Sequence, residues 1–162
     1  MHIGMIYGYN VRIGYLINYS VIYNYMDALT KQAASTFAEA EGYLEILESS
    51  LNRKSKFTND LLYNIVSMCT EKLFMAFLSH FHYNATHHTP MALFNETNKI
   101  RKLPDEFRET IRLIAGFESI CQFDAFGYKT PTDAEIRKMT TGLIAIRDYI
   151  DEIINQVPKE MI

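Results

Sequence analysis

The amino-acid sequence predicts an all-α fold, an antiparallel up-and-down bundle of about five helices. From Met26 onward, apolar residues recur every three or four positions, which gives each helix one face to bury. Helix-start signals fall between these apolar stretches, and the connections are short enough for consecutive helices to pack side by side. The 162 residues suffice for one domain with its own core, and 48% of them are hydrophobic.

The first 25 residues follow a different pattern. Every odd position from Ile3 to Tyr25 is apolar or tyrosine, and a period of two is typical of a β-strand. We therefore predict a Tyr-rich N-terminal extension, residues 1–25, folded as a β-hairpin that turns near Asn10 or Asn18. The helical domain would then comprise residues 26–162.

A second interpretation of the extension is an added leader before a native start at Met26, because Met26-Asp-Ala-Leu-Thr-Lys is an ordinary opening for a helical domain. A secretory signal peptide is not expected, since the start is not basic and has no small-residue cleavage site. A membrane span is not expected either, because Arg12 and several Asn and Gly residues interrupt the apolar run.

The first two predicted helices each carry one apolar face. On the first helix the apolar residues step by three and four: Leu29, Ala33, Phe37, Ala40, Leu44, Leu47 and Leu51. Thr58 can cap the second helix, and Asp60 lies in its first turn, where a carboxylate interacts favourably with the helix dipole. The stripe on this second helix is Leu62, Val66, Cys69, Leu73, Ala76 and His80.

Three shorter signals predict the remaining helices. Thr89 followed by Pro90 starts a short third helix through Leu93 and Phe94. The stretch Leu103-Pro104-Asp105-Glu106 starts a fourth, with the face Phe107, Ile111, Ile114, Phe117 and Cys121. Thr132-x-x-Glu135 is a capping box that opens a fifth. The face of the fifth helix is Ile136, Met139, Leu143, Ile146, Ile150, Ile153 and Val157.

Composition and charge narrow the functional classes. The formal net charge is -3 at pH 7, so no global basic field attracts nucleic acid, and no DNA partner is expected. Cys69 and Cys121 are too few for a disulfide framework and are predicted to be reduced, buried thiols of a cytoplasmic protein. No Cys-x-x-Cys pair occurs, which excludes a zinc ribbon, and no Gly-rich phosphate loop, Gly-x-Ser-x-Gly or His-Glu-x-x-His motif is present.

Four of the 5 histidines lie close together, at His80, His82, His87 and His88. Imidazole can carry a proton, bind a metal or donate to a phosphate near neutral pH. His80 continues the apolar stripe of its helix, so it is either a core histidine or a group that donates to a phosphate from a pocket between the second and fourth helices. His88 precedes a predicted helix N-terminus, where free backbone N–H groups favour an anion, and is either ligand-binding or simply flanks the helix.

A metal site is an alternative for this cluster, with His82, His87 and His88 gathering an ion through the loop. His80 and His82 cannot act as a pair of helical ligands, because two residues correspond to about 200° of rotation. The window from His80 to His88 contains no carboxylate, so no metal or other cofactor is expected.

The element order from Thr30 to Val157 resembles the HEPN family, helical domains named for nucleotide binding in higher eukaryotes and prokaryotes. The second helix ends in aromatic and histidine residues, and His88 is followed by a short Leu-rich helix. The stretch Phe123-Asp124-Ala-Phe126-Gly-Tyr128 precedes a Pro-containing loop and the last long helix, and is similar to the family's aromatic-Asp-aromatic stretch.

Within that stretch, Asp124 either fixes the loop or contacts a base or ribose, with Phe126 or Tyr128 stacking on the base. The candidate ligand site therefore comprises His80, His88, Asp124, Phe126 and Tyr128.

The resemblance implies three kinds of role. Some HEPN members pair with a minimal nucleotidyltransferase, as a toxin–antitoxin system or as its substrate-binding subunit, and others bind nucleotides. Many are metal-independent ribonucleases with an Arg-x(4-6)-His motif. This chain lacks that motif, because Arg12 and Arg53, the only arginines ahead of any histidine, have no histidine at that spacing.

We therefore expect a non-catalytic, homodimeric domain that binds a nucleotide or substrate as the partner of a nucleotidyltransferase. Two alternatives remain open. One is a divergent HEPN ribonuclease or a metal-dependent hydrolase that uses the cluster from His80 to His88. The other is a purely structural bundle whose N-terminal extension mediates assembly.

Overall fold

Five α-helices make up the described part of the chain in this computed structural model, which covers residues 4–52, 56–118 and 129–155, with side chains from Met26 onward. The helices are α1 (Gly4–Asn52), α2 (Asn59–His80), α3 (Pro90–Ile100), α4 (Asp105–Ala115) and α5 (Asp133–Ile154). No strand occurs in these ranges, so the predicted all-α fold with about five helices is confirmed.

The predicted N-terminal β-hairpin is wrong, because α1 already begins at Gly4 and passes Met26 without a break. The alternating pattern has a weak contrast between its two faces, since Ile6, Leu16 and Ile22 occupy even positions. A lone hairpin is only marginally stable in water. Extending an existing helix, by contrast, adds one hydrogen bond per residue without a new nucleation step.

The antiparallel pair of α1 and α2 forms the centre of the core. The predicted face of α1 is buried from Leu29 to Leu47, and Leu51 packs partly buried at its end. Helix α2 is buried around most of its circumference because it contacts α1, α3 and α5. Its buried side chains include Phe74 and Phe77, which are among the largest fully buried residues described.

Cys69 of α2 lies directly against α1. Its thiol donates to the Ala40 carbonyl over 3.6 Å, a contact that the small alanine side chain permits. Burial raises the pKa of the thiol to about 12, so the sulfur stays protonated and unreactive at neutral pH. The predicted buried, reduced thiol is therefore confirmed at Cys69, whereas Cys121 lies outside the described residues.

Helix α2 is also the one described helix whose length and apolar composition would let it cross a membrane. More than half of its most apolar stretch is buried inside the bundle. The core helices of soluble proteins share these properties, so α2 is compatible with a soluble protein.

Helix α5 begins beside the N-terminus of α2. Thr132 and Glu135 form the predicted capping box, with the Glu135 N–H donating to Thr132 Oγ1 over 3.3 Å and the Thr132 N–H donating to Glu135 Oε2 over 2.8 Å. The Asn59 amide donates to Asp133 Oδ1 over 2.8 Å, so the first residues of α2 and α5 are neighbours. Arg137 of α5 donates to the Leu51 carbonyl in the last turn of α1, so the C-terminal end of α1 lies on the same side of the bundle.

Helix α4 packs closely against α5. A Cβ atom added at Gly142 of α5 would overlap the side chain of Thr110, so the glycine allows the two helices to approach at this point. A second contact joins the same two helices. Phe107 lies one turn before Thr110 on α4 and Tyr149 two turns after Gly142 on α5, and their rings meet edge to face with centroids 5.5 Å apart. The two short helices α3 and α4 thus bridge α2 and α5, since α3 packs on α2 and α4 packs on both α3 and α5.

Candidate ligand-binding site

The segment between α2 and α3, residues 81–89, is called the histidine loop here. It begins with a sharp reversal of the chain after His80. The Tyr83 N–H donates to the Leu78 carbonyl and the His82 N–H donates to the Ser79 carbonyl, each over 2.9 Å. This pair of bonds is a Schellman motif, and it places His82 in the left-handed region with a φ of 56°.

The reversal separates His80 from His82. His80 is half-buried on the last turn of α2, with its ring edge-on to Phe81 at a centroid distance of 5.2 Å. Burial, and secondly the nearby His82, lower the pKa of His80, so its imidazole is neutral at physiological pH. His82 lies beyond the helix end and is exposed. The two imidazoles therefore do not share one helical face, as their spacing predicts.

The carboxylate of Glu96 fastens the loop to α3. It accepts hydrogen bonds from the Thr86 N–H over 3.1 Å, from the Thr86 hydroxyl over 2.5 Å and from His87 Nδ1 over 2.9 Å. Glu96 is only 6% exposed, and hydrogen bonds from Thr86 first and His87 second lower its pKa to about 2. A buried carboxylate with this number of donors is ionised and satisfied.

The carboxylate of Glu71 fastens the same loop to α2. His88 Nδ1 lies 2.8 Å from Glu71 Oε1, in a pair that is far more accessible to water than the one around Glu96. The loop is thus held to two helices by two neighbouring histidines. In both cases Nδ1 is the nitrogen in contact with a carboxylate, which leaves Nε2 for another partner.

Both imidazoles are at the surface. The side chain of His87 is 68% exposed and that of His88 is 61% exposed. Phe81 and Tyr83 of the same loop are also exposed, each by somewhat more than a third. The histidine loop therefore presents imidazole and aromatic groups together. Imidazoles can donate hydrogen bonds to phosphates, and aromatic rings can stack on nucleobases.

The N-terminus of α3 follows directly after His88. Thr89 is the N-cap and Pro90 the first helical residue, as predicted, but the Thr89 side chain makes no capping hydrogen bond. First-turn N–H groups of a helix have no intrahelical partner and favour anions. An anion that contacts His88 would therefore also lie near unsatisfied backbone donors.

Neither carboxylate could be assigned from the histidine-rich stretch of the sequence. Glu71 and Glu96 lie outside that stretch, and packing brings them to the histidines. A signal for Glu96 did exist, because it follows Leu93 by three residues on the buried face of α3. A charged residue on an apolar stripe requires a partner and is rarely found without one.

Three predicted site residues, Asp124, Phe126 and Tyr128, lie outside the described residues. Among the residues that the structure describes, no three His, Cys, Asp or Glu side chains come together as a group able to hold a metal ion. The metal alternative built on His82, His87 and His88 therefore gains no geometric support. His87 and His88 instead direct Nδ1 toward two different helices.

Comparison of the chain with family models, curated proteins and solved structures found no match.

Proposed function

We propose that this protein is a non-catalytic, HEPN-like domain that binds the phosphates of a nucleotide at the histidine loop. In this role it serves as the interaction or substrate-binding partner of a nucleotidyltransferase, as one half of a toxin–antitoxin pair or as a subunit. The observation that supports the proposal most directly is the pair of surface imidazoles, His87 and His88, each oriented by a carboxylate from a different helix.

Orientation by a carboxylate makes these imidazoles more useful than freely rotating ones. A held ring loses less side-chain freedom when a ligand binds, and so more of the interaction energy appears as affinity. His88 also adjoins the first turn of α3, whose backbone donors add to phosphate binding. Phe81 and Tyr83 are exposed on the same loop, and stacking of a base on one ring would contribute about 1–3 kcal/mol.

Two further features agree with the HEPN-like part of the proposal. The order of helices, with a short α3 directly after His88, supports the resemblance on which this part of the proposal depends. The chain also lacks the Arg-x(4-6)-His motif of the ribonuclease members, which favours a binding role over catalysis. A homodimer in the cytoplasm is part of the same proposal.

A calorimetric titration with ATP tests the binding role. We expect saturable binding to the unmodified protein and at least a tenfold loss of affinity in His88→Ala, since a charge-assisted hydrogen bond is worth about 1.5–3 kcal/mol. His82→Asn is the matched control, because it removes an exposed histidine of the same loop and asparagine tolerates positive φ. Absence of binding, or equal affinity in all three proteins, would overturn the proposal.

One observation favours a catalytic alternative. An exposed imidazole with Nδ1 on a carboxylate and Nε2 free for a substrate is the arrangement of a general base in hydrolases, and the exposed His87 contacts Glu96 through Nδ1. Under this alternative the protein is a divergent ribonuclease. RNA cleavage that is abolished by His87→Ala and preserved in His82→Asn would support it, whereas background cleavage in both variants would remove it.

A further inference from the structure

We infer that phosphate binding at the histidine loop is coupled to proton uptake, because Glu96 and Glu71 hold His87 and His88 in the form whose Nε2 carries no proton. The inference depends on the proposed phosphate-binding role and adds its regulation: binding strengthens as the solution becomes more acidic. Glu71 and Glu96 are then positioning residues that act through the imidazoles.

The hydrogen-bond geometry at His87 decides where its proton lies. Nδ1 is 2.9 Å from Glu96 Oε1, and an ionised carboxylate can only accept. A bare lone pair on Nδ1 would face a negatively charged oxygen at that distance and be repelled. The Thr86 hydroxyl, 2.8 Å from the same nitrogen, already donates to Glu96 and so also presents lone pairs to His87. Nδ1 must therefore carry the proton.

The same argument applies to His88, whose Nδ1 is 2.8 Å from Glu71 Oε1. In neutral imidazole one nitrogen carries the hydrogen and the other a lone pair. With hydrogen fixed on Nδ1, the exposed Nε2 atoms of His87 and His88 are acceptors. The hydrogen bond at one ring nitrogen thus sets the character of the other.

Because Nε2 of each neutral imidazole is an acceptor, phosphate binding must be coupled to proton uptake. A phosphate oxygen is an acceptor, so it cannot form a hydrogen bond with a neutral Nε2. Adding a proton to Nε2 converts each imidazole to a cation with a donor on both sides, while the contact with the carboxylate is retained and strengthened. Each histidine that engages a phosphate must therefore take up one proton when the protein starts in the neutral form.

The charged surroundings of the two rings are compatible with this step. Glu96 of α3 faces His87, and Glu71 of α2 faces His88. Glu71 interacts electrostatically with Lys72, whose ammonium is paired with Glu39 of α1 over 2.6 Å. His80 and His82 interact with each other at the start of the loop, and the half-buried His80 resists protonation. The added protons are therefore assigned to His87 and His88.

Nitrogen-15 NMR of the unligated protein at about pH 8 gives the first test, since it distinguishes the two neutral forms of imidazole. We expect His87 and His88 to carry hydrogen on Nδ1, with His82 as the internal comparison because it makes no described contact with a carboxylate. Hydrogen on Nε2 of both His87 and His88 would overturn the inference whatever the ligand does.

Titration with sulfate and with ATP gives the second test. Sulfate stays a dianion near neutral pH, so any proton taken up must go to the protein. We expect uptake at about pH 7.5 and affinity that falls up to about tenfold per pH unit for each engaged histidine. Glu71→Met should reduce the uptake because it frees His88 Nδ1. Glu45→Met, which removes the same charge from the exposed face of α1, should leave uptake unchanged.

The outcomes separate the two proposals. Binding of ATP or sulfate without proton uptake, or with uptake that is the same in Glu71→Met, overturns the coupling and leaves the binding role intact. No binding of either ligand at any pH between about 6 and 8 overturns the binding role and the coupling with it.

Discussion

Glu96 Oε1 lies 2.9 Å from His87 Nδ1, which joins a nearly buried carboxylate of α3 to an exposed imidazole of the preceding loop. The same carboxylate accepts two hydrogen bonds from Thr86, so one side chain fixes both the backbone and the side chains of the loop. Removing it would leave the Thr86 N–H without its partner and His87 without orientation. The geometry of the loop at Thr86 and His87 therefore depends on Glu96.

The low pKa of Glu96 predicts a pH dependence of stability. Its carboxylate has a pKa of about 2 in the folded protein, lowered from 4.5, so it stabilises the fold fully above about pH 4.5. This contribution is lost as the pH falls through the folded value. Glu96→Gln should lower the free energy of unfolding by about 1–3 kcal/mol at neutral pH. The difference between the two proteins should shrink steadily below about pH 4.5.

Urea unfolding at several pH values measures this difference. Glu45→Gln, a change on the exposed face of α1, controls for the loss of one negative charge. A constant difference between Glu96→Gln and the unmodified protein from neutral pH to about pH 3 would contradict the assigned role of the carboxylate.

Two helix-interior glycines predict opposite effects of the same substitution. Gly42 of α1 faces open space, so Gly42→Ala should raise the free energy of unfolding by about 0.5–1 kcal/mol through the better helix propensity of alanine. Gly142→Ala should lower it by about 1–3 kcal/mol, because the new methyl group overlaps Thr110 and forces α4 away from α5.

Thermal or urea unfolding of the two single variants checks this contrast. The double variant Gly142→Ala with Thr110→Ser tests the proposed cause, since removing the Thr110 methyl group should recover part of the loss. Equal effects of alanine at both glycines would show that α4 and α5 do not approach as closely at Gly142 as described.

The left-handed conformation of His82 predicts a stabilising substitution. A residue with a Cβ atom at positive φ costs about 1 kcal/mol, and glycine avoids that cost. His82→Gly should therefore raise the free energy of unfolding by up to about 1 kcal/mol, and His82→Ala should not. Because alanine also lacks the imidazole, the comparison isolates the backbone effect. A gain of equal size in both variants would assign it to the imidazole instead.

Several elements of this protein could be predicted from local sequence alone. The capping box of Thr132 and Glu135, the start of α3 at Pro90 and the buried stripe of α1 depend on residues within one or two turns of each other. Helix caps and the spacing of apolar residues depend only on residues close in sequence, so both can be predicted without knowing the fold. The clustering of His87 and His88 can likewise be seen in the sequence, because the two residues are adjacent.

Local pattern was misleading at the N-terminus. Alternation from Ile3 to Tyr25 predicted strands, but the segment from Gly4 is part of α1. A hairpin without a third strand or a packed face is only marginally stable in water, so period-two hydrophobicity alone does not specify strands.

The sequence by itself determined the helical class, the starts of α3 and α5 and the place of the histidines, because each depends on neighbours in the chain. Tertiary structure alone decided which groups the histidines contact. Glu71 is 17 residues from His88, so that pair exists only once the loop lies against α2, and Glu96 reaches back to His87 only once the loop folds onto α3. Those carboxylates fix which nitrogen of each imidazole is hydrogen-bonded and which is left for another partner.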